Sequence, residues 1–155
     1  MNKRKTAMAL VVVGCVVGCA ALGLLTVRAH AAAPPGHFTD LGDGTVRDNL
    51  TGLVWEKALP PSPMSQGAAT TYCAGLALSG GGWRLPIATD LQTLVDESVS
   101  SPSIDAAYFP STPAENFWTA SPVAGIPAAV WYVDFGVGGA YVGLGSGALR
   151  ARCVR

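Results

Sequence analysis

The sequence predicts one α+β domain, with strands first, two helices in the middle and an antiparallel meander last. Short runs of period two, broken by Gly, Asp and Asn turns, occupy residues 38–56 and 117–154. Two segments with helical spacing lie between them, and strand–helix–strand alternation of the parallel kind does not recur. A length of 155 residues suits one such domain behind a short N-terminal segment.

That N-terminal segment comes first. Residues 2–5 (NKRK) are basic, and Thr6 to Val27 form an apolar run of 22 residues. Ala29-His30-Ala31 then places small residues at −3 and −1 of a cleavage point after Ala31. Residues 1–31 therefore read as a secretory signal peptide. The run is also long enough for an uncleaved anchor. Val12-Val13-Gly14-Cys15 and Val16-Val17-Gly18-Cys19 each fit a lipoprotein signal, in which the cysteine would carry lipid. All three alternatives place the domain outside the cytoplasm (secreted, periplasmic or in the cell envelope), with the membrane reached only through this segment.

Removing residues 1–31 takes away Lys3, Arg4, Lys5 and Arg28, leaving six basic residues against all ten acidic ones. Nucleic acid is therefore not an expected partner, because phosphate neutralisation needs an excess of Lys and Arg. Of the four cysteines, Cys73 and Cys153 remain, an even number in an oxidising compartment. A bridge between them would close a loop of roughly 80 residues and contribute about 4–5 kcal/mol through chain entropy. Two reduced, buried thiols are the alternative.

Residues 32–37 read as an Ala/Pro tether, and 38–155 as the domain. Phe38 to Leu41, Thr45 to Asp48 and Leu53 to Glu56 read as strands, joined by turns at Gly42-Asp43-Gly44 and Asn49 to Gly52. After the breaker Leu59 to Pro63, Ser65 can cap a helix whose face is Ala69, Tyr72, Cys73 and Leu76. Trp83-Arg84-Leu85 reads as a short strand, and Arg84 as a scaffold residue that stacks or pairs with Asp134 or Asp105. The next helix buries Leu91, Leu94 and Val95. Phe117 to Ala120, Val130 to Phe135 and Tyr141 to Leu144 form the meander. Leu149 to Val154 closes it, with Leu149, Ala151 and Cys153 inward and Arg150 and Arg152 outward.

Four segments share the order and spacing of one known family: FTDLGDGTVRDNLTGLVWEK (38–57), YCAGLALSGGGWRLPIATDLQTL (72–94), SIDAAYFP with NFWTASP (103–110 and 116–122), and VWYVDFGVGGAYVGLGSGALRARCVR (130–155). Together they resemble the Lcl C-terminal domain family, long a domain of unknown function, named for a bacterial collagen-like adhesin. Its hallmarks are the GDGTV-x-D-x-x-TGL-x-W opening, the WRLP segment and the RCVR ending. The resemblance implies a C-type-lectin-like fold, two helices with a curled antiparallel sheet, and an extracytoplasmic binding module. In the named adhesin the domain attaches to sulfated glycosaminoglycans and assembles as a trimer, so a homo-oligomer is also implied. Where the family has a hydroxyl residue to cap the second helix, this chain has Ile87, which moves the expected helix start to Thr89.

The chemistry-bearing residues point away from catalysis. His37 is the one histidine left after processing, beside the tether, and no P-loop, dinucleotide fingerprint or zinc spacing occurs. An enzyme is therefore not expected, nor any cofactor or metal. Asp40, Asp43 and Asp48 could suggest calcium, but they lack EF-hand spacing and are explained by turn chemistry. Trp55, Trp83, Trp118 and Trp131 are expected to fill the core. The candidate ligand-binding residues are Tyr132, Tyr141, Arg150 and Arg152, on the surface of the late strands and loops. The expected function is glycan or matrix binding. The alternative is an envelope protein-interaction or structural domain whose glycine-rich late hairpins form the assembly surface.

Overall fold

The computed structural model describes residues 35–155. The signal, anchor and lipoprotein expectations lie outside the described residues. Phe38–Asp40 (β1), Thr45–Asp48 (β2) and Val54–Glu56 (β3) form an antiparallel sheet in the order β1-β2-β3. Three aspartates shape its turns. Asp40 accepts from the Gly42 amide, Asp43 from the Thr45 amide and hydroxyl, and Asp48 from the amides of Leu50 and Thr51. Gly36 and His37 are hydrogen-bonded to this sheet: the Asn49 side chain donates to the Gly36 carbonyl, and the Asn49 amide to that of His37.

The first helix, Gln66–Gly75 (α1), begins at Ser65, whose hydroxyl oxygen accepts from the Ala68 amide at 3.4 Å, and buries Ala69 and Cys73. A single 3-10 turn, Leu78–Gly80, follows. Trp83-Arg84-Leu85 does not become a strand, since only Arg84 makes a bridge, to Val154. The Arg84 guanidinium pairs with Asp90 at 2.7 Å, replacing the expected partners Asp134 and Asp105. The second helix, Ala88–Gln92 (α2), starts one residue earlier than Thr89. Ile87 offers no side-chain acceptor, but the Asp90 carboxylate reaches back to its amide at 3.2 Å and holds the entry turn.

Asn116–Pro122 (β4), Ala129–Asp134 (β5) and Gly139–Leu144 (β6) form a second antiparallel sheet, in the order β4-β5-β6. The single curled sheet expected from sequence is thus corrected to two separate sheets of three strands each. The expected closing strand, Leu149 to Val154, is instead a tail of isolated bridges. Leu149 bridges Met64, Arg150 bridges Phe117 of β4, and Val154 bridges both Trp55 of β3 and Arg84. The tail therefore stitches the two sheets together, and a disulfide between Cys73 of α1 and Cys153 locks it in place.

This threading covers both faces of the tail. On one side Phe38, Val46 and Trp55 meet Leu91, Leu94, Phe109, Phe117, Val133, Phe135 and Val154 in the main core. On the other, Ala69, Cys73, Trp83, Leu85 and Trp118 pack with Ala151 and Cys153. The alternation expected for residues 149–154 holds, but Arg152 does not point outward. It is fully buried, because the side of the tail that carries it faces the first sheet and not solvent.

Candidate functional site

The two candidate tyrosines come together on the second sheet. Register places Tyr132 of β5 directly opposite Tyr141 of β6, so both side chains share one face. Their ring centroids lie 5.9 Å apart with planes inclined by 33°. Trp118 of β4 stands opposite Tyr132 on its other flank, edge-on at 6.3 Å and 87°. Trp118 is buried, and its indole N–H donates to the Met64 carbonyl at 2.8 Å, which fixes the ring against which Tyr132 rests.

Two glycines complete this shelf. A methyl group placed on Gly139 would lie 2.7 Å from the Tyr141 ring, and one on Gly143 would lie 3.2 Å from the Tyr132 ring. Each ring therefore lies against bare backbone: a methyl group on Gly139 would displace the Tyr141 ring, and one on Gly143 would make the Tyr132 ring give by a few tenths of an ångström. The run Gly139-Ala140-Tyr141-Val142-Gly143 puts both glycines on the tyrosine face at period two. This signal is present in the sequence, yet it is readable only once the pairing of β5 with β6 is known. Tyr141 is 46% exposed at the open edge, while Tyr132 is half-buried behind it. Aromatic faces of this kind carry partial negative charge and attract the polarised C–H groups of a sugar ring.

The three arginines near the chain end do not form one basic patch. Arg150 pairs with Glu115, its Nε donating at 2.9 Å, and lies partly exposed. Its cation holds the Glu115 carboxyl below the usual range. Arg155 lies over the Trp83 ring at 5.1 Å and donates to the Ser79 carbonyl. Arg152 is withdrawn from any surface. Its guanidinium donates to the carbonyls of Glu56 (2.6 Å) and Lys57 (2.9 Å) and to the Thr112 hydroxyl (2.7 Å), and it lies over the Phe109 ring at 4.8 Å. Burial lowers its pKa to about 10, opposed by the nearby Glu56 charge, and the group stays cationic at neutral pH.

Glu56 is the carboxylate of this buried cluster. The Tyr72 hydroxyl donates to its Oε1 at 2.5 Å, and the Cys153 amide donates to its Oε2 at 3.2 Å. Burial raises its pKa above the ordinary value, against the lowering effect of those two donors and Arg152. Burial and the Glu56 partner raise the Tyr72 phenol further still. Glu56 and Arg152 thus belong to the scaffold.

His37 is likewise a packed residue: its Nε2 lies 3.3 Å from Asp48 Oδ1, and its ring stacks on Phe38 at 4.1 Å. Among the described residues, no group of three His, Cys, Asp or Glu side chains could hold a metal ion. Asp40 pairs with Lys57, and Asp43 accepts from the Ser79 hydroxyl at 2.6 Å as well as from Thr45.

The molecule defined by these features is a small disulfide-bridged α+β domain with an exposed aromatic residue, Tyr141, on the edge strand of its second sheet. The profile of the Lcl C-terminal domain matches residues 44–155, and the chain belongs to that family. No curated protein matches the sequence.

Proposed function

We propose that this domain is a non-catalytic, extracytoplasmic binding module of C-type-lectin-like fold that takes a glycan on the Tyr132–Tyr141 shelf. One observation carries the reading: two adjacent rings, supported from beneath by Gly139 and Gly143 and from the side by Trp118, form a preformed aromatic platform. A platform that is already ordered loses little side-chain entropy on binding. The disulfide and the basic-then-apolar N-terminus support an oxidising, extracytoplasmic location.

Calorimetry with a glycan selected on an array tests the proposal. Tyr132→Ala and Tyr141→Ala should each abolish or strongly weaken saturable binding without unfolding the domain. Full affinity in both variants would reject the shelf as the site.

A second reading, an envelope protein-interaction or assembly domain, is favoured by the β6 edge. Residues 135–149 contain no charged side chain, and Val142 and Leu144 are 43% and 66% exposed on the face away from the tyrosines. Natural edge strands are usually guarded by charge, and an unguarded one invites strand pairing. This reading predicts self-association or a co-purifying envelope protein together with a silent glycan array. Val142→Lys should then disperse the assembly.

A further inference from the structure

A second site lies apart from the tyrosine shelf. A surface pocket of about 530 Å³ opens where the chain leaves β3, with Lys57, Ala58 and Leu59 on one wall and Pro110, Ser111 and Pro113 on the other. Arg150 also lines it, and neither tyrosine does. Its volume falls within the range of small-ligand sites, and Ala58, Leu59 and the two prolines make the lining mostly apolar.

The walls are held from beneath by one buried group. Arg152 donates to the carbonyls of Glu56 and Lys57 on the first wall and to the Thr112 hydroxyl on the second. Thr112 in turn donates to the Phe109 carbonyl at 2.8 Å. A single guanidinium with no access to solvent therefore clamps both sides, so the pocket is present before any ligand arrives. Ser111 adopts φ 61°, a left-handed backbone that a residue with a side chain rarely takes, and it does so on the pocket wall.

Two cations, Lys57 and Arg150, share that lining. Each is paired with one partly exposed carboxylate, Asp40 for Lys57 and Glu115 for Arg150. Arg150 also donates from Nη2 to Glu115 and from Nη1 to the Pro61 carbonyl, both at 3.5 Å, which leaves two of its five N–H groups free, and the Lys57 ammonium keeps two of its three. We propose that this pocket binds a monocarboxylate carrying an apolar body, the carboxylate taken between Lys57 and Arg150 and the apolar part against Leu59, Pro110 and Pro113. The chemistry is shared by a free alkyl or aryl acid and by the C-terminus of a peptide ending in an apolar residue. This assignment is independent of the glycan reading.

The test is an NMR titration of the folded, disulfide-bonded domain. The probes are octanoate and octanol, and acetyl-Gly-Ala-Leu with either a free carboxylate or a C-terminal amide. Saturable shifts at the amides of Ala58, Leu59 and Ser111 are expected with at least one acid and with neither neutral analogue. Binding by octanoate alone would assign a free acid, and binding by the peptide acid alone a chain end. The Lys57→Met, Arg150→Met double variant should lose about tenfold or more in affinity, as expected for charge-assisted hydrogen bonds. The same spectra report whether the variant keeps its fold, because the two side chains are only 29% and 21% exposed and their loss frees Asp40 and Glu115 of their partners. No saturation by either acid, equal binding by the neutral analogues, or undiminished binding by a folded double variant would each overturn the proposal.

Discussion

Arg152 carries a positive charge into the interior of a small domain, where the Glu56 and Lys57 carbonyls, the Thr112 hydroxyl and the Phe109 ring receive it. Removing one member of a buried charge cluster leaves the other uncompensated, at a cost of about 3–5 kcal/mol. Arg152→Ala should therefore lower urea-derived stability by about that amount, and a loss below about 1 kcal/mol would show that the guanidinium holds nothing together. Glu56 gives the complementary test. Its folded pKa is raised, so its contribution to stability is full below the unfolded value and is lost as pH rises through the folded one. Glu56→Gln cannot ionise and should gain on the wild type as pH rises above the ordinary carboxylate value. A stability difference independent of pH would contradict the raised value. Period two in residues 149–154 revealed which side chains alternate. It could not reveal that both faces are covered, because that depends on two sheets brought together from distant parts of the chain.

At the scale of elements, the late hairpin is the most legible part of the molecule and the most consequential. Alternation marks β5 and β6 clearly, and the glycine turn between them sets a register that puts Tyr132 beside Tyr141. Trp83-Arg84-Leu85 looks equally strand-like in isolation, yet its only bridge partner is the tail, so it stays a single bridge. The glycines under the rings yield a prediction that leaves the tyrosines intact. Gly139→Ala would bring a methyl group to 2.7 Å from the Tyr141 ring, which must swing away because the ring is the freer partner. Thermal stability should fall modestly, by about 1 kcal/mol or less, while affinity for a shelf-bound glycan falls much further. Equal affinity in Gly139→Ala and wild type would show that ring placement does not matter.

On the scale of the whole molecule, the tail is the seam of the fold. It bridges both sheets, and the Cys73–Cys153 disulfide fastens it to α1 across 80 residues of sequence. This pairing was legible from the two cysteines that lie outside the N-terminal apolar segment, with reduced thiols as the alternative. The division into two sheets was not, since it turns on which distant backbone the tail meets. A loop of this length implies that Cys73→Ala with Cys153→Ala lowers stability by about 4–5 kcal/mol. Unchanged denaturation midpoints would show that packing alone holds the tail. The proposed function belongs to this scale too, because it rests on a disulfide-locked frame that holds the two tyrosines side by side. The most direct test is a glycan array probed in parallel with the folded, disulfide-bonded wild-type domain and with Tyr141→Ala. Saturable signal on a defined glycan class with the wild type, absent from the folded variant, is the predicted result. A silent array with the wild type, or identical signals from both proteins, would contradict it.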